Sequence, residues 1–229
     1  MYLDSHLSWE YHLHELSKKL SRANGILSKL RYNAPIDICL QVYYSLFYSH
    51  LIYGCNIWGL ATNENIEKIE ILQKKCVRIL TFSPFNSHTS DIFKEMKILK
   101  VKDIIKMHQL KLVFDFTKNA LPNDLMSLFT LAKDIHPDQN LNSSENNLLY
   151  IPKVKTTTYG TNSLKYHCAK LWNDFFKKAN IQVKEINEKN SLIHLSKIKS
   201  KQNFNNALKR HFIYHYSIDD DFTYFRFDH

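Results

Sequence analysis

Apolar positions at Leu13, Leu16, Leu20, Ala23, Leu27 and Leu30 alternate in threes and fours, the spacing of a helical seam that packs on another helix at a shallow angle. Ser8 is a candidate N-cap with Glu10 in the first turn, where the helix dipole favours negative charge. Asn33-Ala34-Pro35 ends this helix and starts the next, because proline suits a first turn and disfavours helical geometry in the residue before it. From Ile36 to Leu60 the chain carries no charge beyond Asp37. Asp37, Gln41, Ser45 and Ser49 form a thin polar stripe at every fourth residue, while Leu40, Tyr43, Leu46, Phe47, Leu51 and Trp58 crowd the other side, so a buried central helix is predicted. Gly54 and Gly59 bracket its weakening end, and Ala61-Thr62-Asn63 makes a short polar turn with a capping residue ahead of Glu64. A third helix then runs to about Leu80, where Ile66, Ile69, Gln73, Cys76 and Leu80 repeat the three-and-four spacing. Three helices joined by short turns predict an antiparallel bundle.

Charge adds a second pattern. Lys18, Arg22 and Lys29 line up on a different face of the first helix with Gly25 among them, so cations flank a place where the backbone is open to close approach. That face suits phosphates, and it equally suits plain solvation. On the third helix Lys68, Lys75 and Arg78 share a side away from the seam, and Glu70 is placed to pair with Lys74. The whole chain of 229 residues has a formal charge of +9, which points to an acidic partner such as nucleic acid. Only four glycines and five prolines occur, which disfavours turn-rich sandwiches and barrels and predicts a mostly α fold.

The segments YLDSHLSWEYHLHELSKKLSRANGILSKL, QVYYSLFYSHLIYGCNIWG and IEKIEILQKKCVRIL share kind, order and spacing with a known family. The signatures are Leu7-Ser8-Trp9 with His12, the run Ser49 to Gly54 closing on Trp58-Gly59, and Leu72-Gln73-Lys74-Lys75 through Arg78. In these features the chain resembles the region that follows the palm in the reverse transcriptases of non-LTR retrotransposons of the LINE type, jockey-like. The resemblance implies a thumb, a helical bundle that grips the primer-template duplex, and agrees with the bundle read from periodicity. His88-Thr89, Phe93-Lys94-Glu95, Ile98-Leu99, Val101 to Ile104, Leu121-Pro122 and Ala169 to Asn173 continue it.

Five parts are expected: a thumb-like bundle over 5–82, further helices over 88–132, a polar linker and extended segment over 133–163, a C-terminal helical region over 164–216, and an acidic tail over 217–229. The stretch from Lys133 to Asn147 is polar and without periodicity, and Ile151 to Thr158 suits an extended segment ending at Tyr159-Gly160. Ser163 is a candidate cap for a helix whose ridge is Leu164, Cys168, Leu171 and Phe175 beside Trp172; Phe204, Leu208 and Phe212 mark one last short helix.

Chemistry is sparse. A polymerase needs palm carboxylates that align two metal ions, and the resemblance begins after the family's paired aspartates, so this chain is expected to be non-catalytic, without cofactor or metal. Leu3 passes straight to Asp4 where the family has intervening residues, which suggests a truncated element. Tyr216-Ser217-Ile218-Asp219-Asp220-Asp221 superficially matches the aromatic-x-Asp-Asp motif, but in the wrong register. His211 and His215 lie four apart without the glutamate that a zinc-protease motif requires. His50 lies on the apolar side of the central helix and reads as a packing histidine; Cys55, five residues on, points elsewhere. Cys39, Cys55, Cys76 and Cys168 show no paired spacing and are expected to be free thiols. No signal-peptide pattern opens the chain, and an intracellular location is expected.

The expected partner is therefore an RNA-DNA or DNA duplex bound without sequence preference, with the palm region of the parent polymerase as a second partner and no small-molecule substrate. Lys18, Arg22, Lys29, Lys75 and Arg78 are the candidate phosphate contacts, with Lys153 and Lys155 secondary. Two alternatives stand beside this: a non-catalytic helical protein-interaction fragment, and a protein anchored by Ile36 to Leu60, whose uncharged length approaches the roughly 20 residues of a bilayer span. Gln41, His50 and Asn56 inside that stretch argue against lipid.

Overall fold

The computed structural model describes residues 1–135, 148–185 and 200–216. Among them the fold is mostly α, as predicted, with one isolated antiparallel bridge between Leu131 and Leu149. Two compact units divide the chain, Met1–Ile105 with Arg210–His229, and Lys106–Lys209.

The first unit is built on α1 (Glu10–Leu30) and α5 (Asn63–Thr81). The predicted seam is the core: Leu13, Leu16, Leu20, Ala23 and Leu27 of α1 and Ile66, Ile69, Gln73, Cys76 and Leu80 of α5 are all buried. Asn24 of α1 and Arg31, which caps its C-terminus seven residues on, donate to the carbonyls of Leu72 and Ile79, seven apart on α5, both at 3.0 Å. The two helices therefore run parallel, and the chain between them returns in the opposite sense.

That return segment departs from the single helix expected over Ile36 to Leu60. It begins as α2 (Ile36–Val42), widens to a π-helix over Tyr43–Tyr48, and resumes as α3 (Ser49–Ile52). Spacing by four explains the widening. On an α-helix of 3.6 residues per turn, residues at every fourth position drift by about 40° per step. Cys39, Tyr43, Phe47 and Leu51 would rotate off the core by about 120°, yet all are buried. The wider turn keeps them aligned, at the expense of Leu46, which the sequence placed inside and which is exposed. The helix then stops at Gly54, whose φ of 67° is left-handed, and α4 (Cys55–Trp58) follows. Trp58 is fully buried, with its indole N–H on the Tyr53 carbonyl at 2.9 Å. Gly59 is held by packing, since a Cβ there would meet the Cys55 carbonyl and lie 2.5 Å from Ile105 Cγ2. Among the described residues no helix is long and apolar enough to cross a membrane.

The cap of α1 also differs from expectation. Trp9 precedes the helix in left-handed geometry (φ 62°), and Asp4 supplies the carboxylate, accepting the N–H groups of His6, Ser8 and Trp9 at 2.9–3.0 Å. These donors, Ser8 first, hold the Asp4 carboxyl below its usual pKa. Ser8 donates to that carboxylate from both its N–H (2.9 Å) and its hydroxyl (3.1 Å), and the hydroxyl also accepts the Glu10 N–H, the first of the helix, at 3.4 Å.

Beyond α5, α6 (Ser90–Glu95) and the first turn of α7 (Val101–Thr117) complete this unit's core through Phe93, Ile98, Leu99, Val101 and Ile104. Gln73 is the polar member of the α5 seam and bonds three ways. Its amide nitrogen donates to Tyr43 Oη (3.1 Å) and the Leu99 carbonyl (2.9 Å), and its oxygen accepts the Val101 N–H (2.9 Å). The Lys100 N–H, between those two residues, donates to Tyr216 Oη at 2.9 Å.

In the second unit two short helices, α8 (Asn123–Met126) and α9 (Ala132–Ile135), precede a π-helical turn at Thr157–Thr161 and α10 (Leu164–Glu185). The extended segment expected over Ile151 to Thr158 is free of helix as far as Thr156, which is extended (φ −125°, ψ 152°), and gives way to the π-helical turn at Thr157. Ser163 stands just ahead of α10 as expected, its hydroxyl accepting the Tyr166 N–H at 3.4 Å. Of the predicted ridge, Cys168 and Leu171 are buried with Trp172, whereas Leu164 and Phe175 are half-buried. Asn173 pairs with both backbone groups of Leu149, at 2.9 and 2.8 Å. The last helix, α11 (Lys201–His215), is longer than expected; its Phe204 stacks on Phe114 with ring centroids 4.3 Å apart. The acidic tail with Asp219 to Asp221, and most of the polar stretch after Lys133, lie outside the described residues.

Candidate nucleic-acid interface

On α1 the sequence-predicted cations stand where the seam forces them. Lys18, Arg22, Gly25 and Lys29 fall within about 60° of one another around the helix, opposite the buried ridge, and all four are exposed. The row extends about 16 Å along the axis at 1.5 Å per residue, close to five nucleotide steps of one strand at about 3.4 Å each. Gly25 has open space where a Cβ would be, so nothing within the fold requires a glycine there. Lys18 also pairs with Glu15 at 2.6 Å. That hydrogen bond is the main reason the Glu15 carboxyl titrates below its usual value. The pair is exposed and on one helix, and the Lys18 ammonium keeps further donors for a phosphate.

On α5 Lys75 is exposed on the side away from the seam. The register set by Asn24 and Arg31 places Lys29 level with the turn that carries Lys75 and Arg78. Lys68 is answered locally by Glu64 at 3.4 Å and Asn65 at 3.1 Å. Arg78 is half-buried and partly committed to the fold: its Nε and Nη2 both donate to the Ser87 carbonyl, at 3.1 and 2.9 Å. Lys153 and Lys155 are exposed, in the second unit.

One expected pair does not form. Glu70 faces Lys102 of α7 at 3.5 Å, and Lys102 also lies 3.9 Å from Glu67; among the described residues Lys74 makes no ion pair. The competing lysine comes from a later element, so helix spacing alone favours the wrong partner. Arg31, unremarked in the sequence, is a structural cation. It caps a carbonyl in the last turn of α5, where positive charge is favoured, and its guanidinium sits 4.3 Å from the Phe82 ring centroid and 4.8 Å from that of Tyr32.

The other sequence candidates carry little chemistry here. Among the described residues Cys39, Cys55, Cys76 and Cys168 form no disulfide, and all four are buried; burial pushes the Cys76 thiol up and that of Cys168 up to about 12, which suppresses the reactive thiolate. His50 is half-buried. His211 and His215 have ring centroids 4.6 Å apart, and burial together with the neighbouring His215 lowers His211 to about 4. Among the described residues no group of three or more His, Cys, Asp or Glu is placed to hold a metal ion.

Comparison with known proteins bears out the resemblance read from the sequence. The chain is 25% identical over 140 residues, 59% of its length, to the RNA-directed DNA polymerase from mobile element jockey of Drosophila melanogaster. It is 27% identical over 110 residues to the probable RNA-directed DNA polymerase from transposon X-element of the same fly, and 26% identical over 108 residues to the jockey polymerase of Drosophila funebris. These matches cover only 15%, 12% and 12% of the relatives' own lengths. No family model matches, and no solved structure does.

Proposed function

We propose that this chain is the thumb and following region of a non-LTR retrotransposon RNA-directed DNA polymerase, and that it holds the primer-template duplex by phosphate contacts along α1 and the adjoining end of α5. The matched relatives are named as RNA-directed DNA polymerases, so a nucleic-acid partner accords with the similarity. The observation that carries the reading is the row Lys18, Arg22 and Lys29: three exposed cations and an unobstructed glycine opposite the buried ridge of a long helix. Cations spaced along a rod neutralise a phosphate backbone without reading bases, so binding is expected to be indifferent to sequence. Polymerisation in this reading belongs to a palm bearing metal-binding carboxylates, in a part of the parent enzyme other than these 229 residues.

Anisotropy titration against a labelled RNA-DNA primer-template tests it. Binding tighter than that of a control protein of equal net charge is expected; binding no tighter would overturn the proposal. A second reading, an interaction fragment that docks on other protein, is favoured by one observation. Tyr44, Leu46, Tyr53 and Ile57 of the central segment are exposed at 38–63%, more apolar surface than the folded unit itself needs. The same titration separates the two, since an interaction fragment binds duplex no better than the control.

A further inference from the structure

The loop between α5 and α6 folds back over α5 and borders an open pocket of about 470 Å³ that none of the sequence candidates except Arg78 touches. Its lining is cationic and hydroxyl-rich: Lys74, Arg78 and Lys100, with Ser87, His88 and Thr89. The one carboxylate in the lining, Glu70, faces Lys102 at 3.5 Å, so it leaves the cations largely unanswered. Spare donors remain on each of them. Arg78 uses Nε and Nη2 on the Ser87 carbonyl, leaving Nη1 of a five-donor guanidinium. Lys100 gives one of its three protons to Ser90 Oγ at 3.0 Å and lies 4.6 Å from the Tyr216 ring centroid. Among the described residues Lys74 has no ion-pair partner. The cluster is also held in place, because Gln73 bonds the backbone on both sides of Lys100 and Tyr216 bonds its N–H.

Such a lining selects an oxyanion. The volume falls within the roughly 300–1,000 Å³ of small-molecule sites and exceeds what one phosphate fills, so the ligand carries an organic group. The same loop presents that group with a platform. Phe85, next to the pocket residue Asn86, is 88% exposed, and its ring centroid lies 5.9 Å from the Arg78 guanidinium carbon. A large aromatic left in water beside a cation is the arrangement on which unpaired bases stack.

We propose that this pocket and Phe85 form a site for one nucleotide of a single strand, the phosphate among Lys74, Arg78 and Lys100 and the base on Phe85. The site rests on the nucleic-acid reading above and adds the state of the strand: an unpaired segment is held here, with Arg78 on its phosphate, while the duplex lies along α1 and Lys75 of α5.

The test uses the full chain and anisotropy with three probes: a labelled oligothymidylate, a blunt duplex and free thymidine monophosphate. Phe85→Ala is expected to weaken oligothymidylate binding about tenfold, the scale of losing one base stack, and to leave the blunt duplex within about twofold. Lys74→Gln is expected to lower the salt slope for the oligothymidylate by about 0.7, the contribution of one phosphate of a single strand. Both side chains lie outside the core, so the variants fold, and circular dichroism verifies it. Equal oligothymidylate affinity in folded Phe85→Ala overturns the inference, even where duplex binding persists. Displacement of the oligothymidylate by equimolar thymidine monophosphate also overturns it, since the pocket then serves a free nucleotide. Loss of duplex binding alone, with a Phe85-dependent single-strand signal, overturns the duplex reading and supports this one.

Discussion

Replacing Gln73 with leucine keeps the size of the side chain and removes its polarity, so it isolates what the three hydrogen bonds at the centre of the first unit contribute. In the wild type the amide satisfies Tyr43 Oη, the Leu99 carbonyl and the Val101 N–H, and the four residues are all buried. The variant strands three polar groups, each at a penalty of about 1–3 kcal/mol, for a loss of roughly 3–9 kcal/mol against a typical total of about 5–15. Tyr43→Phe removes one bond and leaves Gln73 its others, so about 0.5–1.5 kcal/mol is expected. In the leucine background the same change deletes an already stranded hydroxyl and is expected to be neutral or stabilising. The cycle should therefore show a coupling of about 1–2 kcal/mol. Urea unfolding followed by circular dichroism measures all four proteins. A Gln73→Leu loss under about 1 kcal/mol, or additive effects of the two changes, would refute the reasoning.

Three further outcomes are expected. Gly25→Ala, on an open helical surface, should raise stability by about 0.5–1 kcal/mol while weakening duplex binding; tighter or unchanged binding in anisotropy would remove the backbone from the interface. Gln109 is fully buried, and among the described residues neither of its side-chain polar atoms finds a hydrogen-bond partner, so Gln109→Leu should stabilise by about 1–2 kcal/mol, and a fall in urea midpoint would contradict this. Burial lowers His108 and His211 to about 4, with Lys111 and His215 adding to it. Since both pKa values are depressed below the unfolded value, their stabilisation is present in full above about pH 6.5 and is lost as pH falls toward 4. His108→Gln should flatten that part of a urea-midpoint profile, and an unaltered profile would show that His108 contributes nothing to it.

The parts of the fold that follow a helical period were legible in the sequence. Leu13 to Leu27 and Ile66 to Leu80 name the core of α1 and α5 almost residue for residue, because packing one ridge on another needs nothing beyond that spacing. The outward row Lys18, Arg22 and Lys29 follows from the same geometry. Illegible were the features made by residues distant in sequence. The Asp4 cap spans five residues of irregular backbone, Lys102 takes Glu70 from Lys74, and the pocket exists only because the loop after α5 folds back. The π-helix was half visible: a polar stripe at strict intervals of four does not fit an α-helix, and Tyr43 to Tyr48 is where that mismatch is absorbed. Gln73, a lone amide in an apolar seam, was a signal of the same kind, since a buried amide requires partners. Periodicity could not say that they would be Tyr43, Leu99 and Val101.

The central claim, that the outer row of α1 lies against phosphates, is tested most directly by the salt dependence of primer-template binding for the wild type and for Lys18→Ala/Arg22→Ala/Lys29→Ala. Each phosphate neutralised contributes about 0.9 to the slope of log K against log salt, so the triple variant should bind with a slope shallower by about 2 to 3 while keeping its helical circular dichroism. A folded triple variant whose slope equals that of the wild type would contradict the account.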